Sequence, residues 1–347
     1  MNFDPDFLWI KSRGADVHVL TDKVRGDDGT RMYVICSNLT STESARTEST
    51  TAVVKSSSWP RGGFRVGSNG QTNSSGQGYV AWAWKAGGNS NTYNINDVGY
   101  ATTTAAGLTA GTIAPTGASV NTKSGFSIIT YTGKTGSQTV PHGLGKIPSF
   151  IIIKNRTDAD DWAVYHTSLT NNNYMNLNSD TSQSSSVNMW NDTDPTTTVF
   201  SLGSASGSDA VNRVNNNGKN YVAYIWAEIP GFSKFGTYVC NNSSDGPMII
   251  TGFRPKIVIL KCYDSTSNWA VYDSERNKSN PMTNTLAWNS SNAENTPDYG
   301  DIDFLSNGFK IRASAGAYIN NTPDDFIWMA FAETPSFNLY GGQSNAR

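Results

Sequence analysis

Short runs of large apolar residues punctuate a chain that is otherwise small and polar. Two of them, Phe150-Ile-Ile-Ile153 and Ile257-Val-Ile-Leu260, are continuously apolar, as expected of a strand buried on both faces or lying at the centre of a sandwich. Others alternate by twos: in Phe64-Arg-Val-Gly67 and Phe309-Lys-Ile-Arg312 the apolar and basic side chains point to opposite faces, the half-buried strand pattern. The runs are rich in Ile, Val, Phe, Tyr and Trp and end in Gly, Pro, Asn or Ser clusters, which read as β-strands and turns. No stretch of ten or more residues carries helical periodicity. The predicted class is all-β, built of tandem small antiparallel β-sandwich, jelly-roll-like, repeat domains.

The runs recur. Pro148-Ser-Phe-Ile-Ile-Ile-Lys-Asn-Arg156 followed by Asp161-Trp-Ala-Val-Tyr165 returns as Pro255-Lys-Ile-Val-Ile-Leu-Lys-Cys-Tyr263 followed by Asn268-Trp-Ala-Val-Tyr272. A third copy opens the chain as Pro5-Asp-Phe-Leu-Trp-Ile-Lys-Ser-Arg13, with His18-Val-Leu-Thr-Asp22 where the Trp-Ala-Val-Tyr segments stand. Each copy closes on an aromatic segment: Tyr79-Val-Ala-Trp-Ala-Trp84, Tyr221-Val-Ala-Tyr-Ile-Trp226 and Phe326-Ile-Trp-Met-Ala-Phe331. Before it sits a further strand candidate, Gly63–Gly67, Val199–Gly203 or Gly308–Arg312. Such spacing marks internal repeats. The predicted division is a first repeat over 1–85, a linker over 86–124, a second repeat over 125–230, a third over 231–335 and a tail over 336–347. The linker is Gly-, Thr-, Ala- and Asn-rich and reads as a segment of mixed stiffness. The junction Glu228-Ile-Pro-Gly-Phe-Ser-Lys-Phe235 is short and predicts a fixed angle.

The first repeat has only Met1–Asp4 before its Pro5, whereas the others carry a leading strand (Gly125–Gly133 and Phe235–Tyr238). The prediction is a first domain lacking one strand or two, with an exposed sheet edge. The strand would come from a longer chain, from a partner polypeptide, or from residues 93–100 folding back, the last being the poorest match. A donated strand would make residues 1–85 the attachment end.

Composition narrows the partners. Asn, Ser and Thr supply 112 of 347 residues and the formal net charge is −2, which leaves no electrostatic footprint for nucleic acid or an anionic membrane. The longest apolar run is far short of a membrane span, and the first residues do not form a basic, then apolar, leader. Cys36, Cys240 and Cys262 fit neither a disulfide framework nor a zinc pattern. His18, His142 and His166 sit in unrelated contexts and read as satisfied imidazoles. Asp158-Ala-Asp-Asp161 reads as a turn, with calcium as the lesser reading. No P-loop, Rossmann or nucleophile-elbow motif occurs, and neither cofactor, metal nor catalytic residue is expected.

Tryptophans offer the remaining chemistry, because glycan-binding surfaces set aromatic faces beside Asn, Asp and Ser donors and acceptors. Trp84, Trp162, Trp226 and Trp269 repeat in register and read as core. Trp59, Trp190 and Trp288 lie in polar, poorly repeating segments. The candidate receptor or glycan contacts are therefore Trp59, Trp190, Asp192, Trp288 and Asn289, in segments 37–58, 170–198 and 277–300 where the copies differ.

Together, Pro148–Arg156, Asp161–Leu169, Val199–Gly203, Tyr221–Tyr224, Gly231–Gly236, Thr251–Pro255, Asp303–Lys310 and Met329–Glu333 resemble a repeat family of tailed-phage virion structural proteins. The family is familiar from cyanophages as tail-fibre or appendage proteins, and the ending Gly341–Arg347 resembles theirs as well. The resemblance covers the chain apart from the linker and is most specific in repeats two and three. It implies a virion location, a non-enzymatic structural role, contact with other tail proteins and a host-surface glycan or protein receptor, and assembly as a homotrimer. It carries over no binding residues. A secreted lectin-like module and a glycan depolymerase are the alternatives; a glycan array or release of reducing ends would distinguish them.

Overall fold

A computed structural model describes residues 3–26, 31–47, 62–204, 209–295, 299–313, 318–321 and 323–333. The first repeat contributes β1 (Phe7–Ser12), β2 (His18–Asp22), β3 (Arg31–Val34), β4 (Ser44–Thr47) and β5 (Tyr79–Trp84). After it come β6 (Tyr93–Ile95), β7 (Val98–Tyr100) and β8 (Gly117–Asn121). The second repeat contributes β9 (Phe126–Thr132), β10 (Gln138–Pro141), β11 (Pro148–Asn155), β12 (Ala163–His166), β13 (Asn173–Asn176), β14 (Ser184–Ser185), β15 (Val199–Leu202) and β16 (Asn220–Ala227). The third contributes β17 (Ser233–Val239), β18 (Met248–Ile250), β19 (Ile257–Cys262), β20 (Ala270–Asp273), β21 (Leu286–Ala287), β22 (Ile302–Leu305), β23 (Gly308–Ile311) and β24 (Asp325–Phe331). The described helices are single short turns, such as Val187–Trp190. The protein is all-β.

Each repeat builds an inner sheet on the same antiparallel register. Phe7, Phe150 and Ile257 lie opposite Trp84, Trp226 and Phe331, and on the other side opposite Asp22, His166 and Asp273. The inner sheets run β2-β1-β5, β12-β11-β16-β9 and β21-β20-β19-β24-β17. Smaller outer sheets, β10-β15 and β18-β23-β22, cover repeats two and three, and β3-β4 lies against repeat one.

The continuously apolar strands are explained by what lies on each face. Along β11, Phe150 and Ile152 enter a core shared by all three repeats, while Ile151 and Ile153 enter the core of their own repeat. Ile257 and Ile259 divide from Val258 and Leu260 in the same way, as do Phe7 and Trp9 from Leu8 and Ile10. With period-two alternation, a strand covered on both sides must be apolar throughout. The shared core is aromatic: Trp84 lies 5.9 Å from Trp226 and 6.0 Å from Phe331, and Phe7 stacks on Tyr224 at 4.4 Å.

Equivalent hydrogen bonds clasp each repeat to another in a closed cycle. Asp160 N donates to Thr40 O (3.0 Å), Ser267 N to Asp180 O (2.8 Å) and Asp16 N to Ser291 O (2.9 Å). Repeat two thus holds repeat one, three holds two, and one holds three. Ring donors follow the same cycle. Trp162 Nε1 donates to Cys36 O and Leu39 O, Trp269 Nε1 to Asn176 O, and His18 Nε2 to Ala287 O (2.8 Å). His18 fills the place of a tryptophan. Trp9 Nε1, which can only donate, points at His18 Nδ1 (2.8 Å), so the ring proton sits on Nε2 and faces the carbonyls.

Residues 86–124 are not a linker of mixed stiffness. Their strands β6, β7 and β8 extend the second repeat's sheet beyond β9, to nine strands in all, and β6 runs parallel to β8. Residues 93–100 therefore do not fold back onto the first sheet. The junction at 228–235 is tight: Phe232 N donates to Ile229 O (3.0 Å), and Ser233 Oγ to Ala227 O (3.2 Å). Val199–Leu202 and Gly308–Ile311 are strands as expected, whereas Gly63–Gly67 forms none of the named strands.

Candidate functional site

The structure removes the tryptophan platforms. Trp190 is 2% exposed and Trp288 1%, so neither offers a ring face to a ligand. Ser186 caps the turn Val187–Trp190, which ends on Asn191 at φ 57° and tucks Met189 and Trp190 inward. Trp190 meets Tyr165 edge-on at 5.8 Å and donates to Asn173 O (3.1 Å). Trp288 reaches across the cycle and stacks on Trp9 at 4.2 Å. Asn289 is a fold residue as well: its Oδ1 accepts from Trp269 N (2.9 Å), as Asn178 Oδ1 accepts from Trp162 N (2.9 Å) and Asn38 Oδ1 from His18 N (3.0 Å). Each asparagine follows its donor by 16 or 20 residues, a repeat that is present in the sequence and that reading by local polarity overlooks. Asp192 is exposed, at φ 45°. Trp59 lies outside the described residues.

The other titratable candidates are built into the fold. His142 Nδ1 accepts from Leu144 N (3.2 Å) and His166 Nδ1 from Ser168 N (3.1 Å), which puts the proton of each on Nε2, facing Thr196 O and Trp328 O. Burial lowers His18 to about 3, and His142 and His166 to about 4. Within 158–161, Asp158 pairs with Lys219 and Asp161 with Arg213 (2.9 Å each), so the acidic turn is occupied by bases. Arg25 is buried between Asp22 and Glu43, and Arg276 repeats it between Asp273 and Glu294. Cys240 and Cys262 are buried thiols: Cys240 Sγ donates to Ile319 O (3.8 Å), and Cys262 Sγ lies 3.2 Å from Ser265 Oγ.

Lys11, Lys154 and Lys261 occupy one repeat position, and all three are buried. Lys154 Nζ donates to Thr40 O (2.9 Å) and Lys261 Nζ to Asp180 O (3.1 Å), reinforcing the cyclic clasps, whereas Lys11 Nζ donates to Ser12 O and Gly14 O. Burial depresses each to about 8. Between that value and the ordinary lysine range near 10.5, the unfolded chain holds a proton that the folded chain has released. Stability therefore rises with pH from about 8 to 10, by up to about 1.4 kcal/mol per pH unit for each lysine. Urea unfolding across this window checks it, and replacing all three by Met is expected to flatten the rise.

A groove of about 420 Å³ lies beside β5. Val80, Trp82 and Trp84 form its floor, and Phe3, Phe232, Phe331 and Ala332 line it further. Its rim is charged, with Lys85, Lys123 and Lys256 set among Asp273, Glu275 and Glu333. In repeats two and three the corresponding sheet position is filled by β9 beside β16 and β17 beside β24. Among the described strands, β5 pairs only with β1.

Comparison with protein families gives one match, over residues 1–335, to the family described as a domain of unknown function, DUF7483. The chain belongs to the DUF7483 family. That match runs through all three repeats and the strands between them, the same extent over which the structure shares one core. No curated protein and no solved structure matches this DUF7483 chain. No helix among the described residues is long and apolar enough to cross a membrane.

Proposed function

We propose that the protein is a structural component of a tailed-phage tail fibre or appendage, located on the virion and contributing to host-surface recognition. The observation that carries this reading is a division of labour. The segments that repeat are consumed by the shared core, while the segments that differ between copies lend backbone groups such as Asp180 O and Ser291 O to the clasps and turn polar residues outward, at 170–172, 180–185, 192–194 and 196–198 in the second repeat and 278–280, 283 and 291–292 in the third. A rigid β scaffold that carries variable polar loops suits presentation of a contact surface, and neutral Asn, Ser and Thr bind by hydrogen bonds without long-range charge. The resemblance of the repeats to phage virion proteins supplies the location.

With the two rings buried, receptor contact falls to these loops, Asp192 among them. Mass spectrometry of purified particles is expected to find the chain, and the isolated protein to slow phage adsorption to host cells. Asp192→Asn keeps a side chain that tolerates positive φ; it is expected to weaken that competition several-fold while changing stability by less than about 0.5 kcal/mol. Absence of the chain from purified particles would remove the proposal.

The resemblance implies a homotrimer, and small polar domains gain by burying apolar surface around an axis, but this chain by itself already places three sheets about one core. Sedimentation at micromolar concentration is expected to give the monomer mass of 37.5 kDa. A species of three times that mass would restore the trimer.

A further inference from the structure

We propose that the outer sheet of the third repeat is a docking surface for an extended, uncharged segment of another polypeptide, laid over Met248 and Ile250 as residues 111–113 of this chain are laid over the second repeat. The two repeats finish the same sheet position differently. β10 and β18 correspond through their pairings: Val140 lies opposite Phe200 as Ile249 lies opposite Phe309, and all four are buried. By the same register Thr139 corresponds to Met248, and Pro141 to Ile250.

In the second repeat the chain itself covers these positions. Thr139 N donates to Thr112 Oγ1 (2.8 Å), and Thr139 O accepts from Ile113 N (3.0 Å). Gly111 lies so close to Pro141 that a Cβ on it would come 2.6 Å from Pro141 Cδ. The third repeat instead shows large apolar side chains, with Met248 50% and Ile250 49% exposed. Ile250 and the half-buried Leu305 both lie opposite Gly308, so they flank a strip of bare backbone on one face. The backbone is aimed alike in the two repeats. Thr251 N donates to Asn307 O as His142 N donates to Thr198 O, which turns the amide and carbonyl of Met248 away from β23, as those of Thr139 turn away from β15. Nearby charges are paired within the chain, Lys310 with Asp245 and Arg312 with Asp303, and ask for no charge in the occupant.

The chemistry of the occupant follows from residues 111–113. Its main chain is extended, to bond Met248 as Thr112 and Ile113 bond Thr139, and it is small where Gly111 stands. At the place of Thr112 it is apolar, because the Thr139 hydroxyl that accepts from Thr112 N (3.1 Å) is replaced by a thioether side chain. Addition of such a segment draws affinity from main-chain bonds and specificity from the side chains it covers.

A synthetic peptide of this chain's own residues 108–120, added to the intact protein carrying labelled Met and Ile methyl groups, is the probe. Saturable chemical-shift changes are expected at Met248 and Ile250, with a dissociation constant on the order of a millimolar because so short a contact buries little surface. The same peptide with Thr112→Val is expected to bind several-fold tighter. Ile250→Asp is expected to abolish binding of both peptides while leaving the denaturant midpoint unchanged, since the side chain it replaces stands in solvent. Absence of shifts at Met248 and Ile250 with either peptide, or shifts that survive Ile250→Asp, would overturn the proposal. So would slow hydrogen exchange of the Met248 amide in the free monomer, which would mean that its place is already taken. Concentration-dependent dimerisation that Ile250→Asp removes would overturn it as well, because the occupant would then be a second copy.

Discussion

Acidification from pH 6.5 to 4 is expected to unfold the protein cooperatively, with stability falling by as much as about 4 kcal/mol per pH unit. The cause is three buried, neutral imidazoles. His18 is held near 3, and His142 and His166 near 4, by burial, and each ring already spends its acceptor nitrogen on a donor: Trp9 Nε1, Leu144 N and Ser168 N. The sign follows from linkage. Below the ordinary histidine value of 6.5, the unfolded chain binds protons that the folded chain refuses, so folding becomes less favourable as pH falls to the folded values. Over this window three such groups amount to about 10 kcal/mol, comparable to the 5–15 kcal/mol that most domains possess. Urea unfolding at a series of pH values measures the slope. His142→Asn together with His166→Asn preserves an acceptor for the Leu144 and Ser168 amides, as the Asp22 and Asp273 carboxylates do for Val24 and Glu275. That pair is expected to remove about two thirds of the slope, and a slope unchanged in the variant would show that other groups carry the acid sensitivity.

Trp288→Ala and Trp190→Ala are each expected to destabilise the protein by about 3–5 kcal/mol, the usual cost of emptying a buried aromatic site. Trp288 has the larger reach, because its ring stacks on Trp9 and lies 6.4 Å from Trp82, so it joins repeat three to repeat one. Its loss opens the shared core as well as its own loop. Trp190 is confined to the second repeat, where it packs among Tyr165, Met189 and Phe200. Denaturant midpoints measure both. Changes below about 1 kcal/mol would mean that the rings are exposed in solution and would return them to the candidate contact surface.

The sequence by itself determined the class and the local registers. The recurrence of Phe150 as Ile257 and of Trp226 as Phe331 is matched by common strand pairings, and that of Trp162 as Trp269 by a common bond to an asparagine, because alternation and turn residues act over a few neighbours and leave their mark in each copy. The candidate site was legible only in part. Asp192 is exposed, but the polar neighbours of Trp190 and Trp288 are there to cap turns and bond strand ends, and the rings between them point inward. Tertiary structure decided what covers each face. A continuously apolar strand announces that both faces are buried without naming the partner, and here one partner is the other two repeats. Tertiary structure also decided that His18 serves where Trp162 and Trp269 serve, and that residues 93–121 join the second sheet. The shared core and the place of His18 depend on contacts between residues more than a hundred positions apart, such as His18 with Ala287 and Trp162 with Cys36, and no local pattern records such contacts; β8 joins β9 locally, at Asn121 opposite Phe126, but Gly117-Ala-Ser-Val-Asn121 is too small and polar to announce a strand.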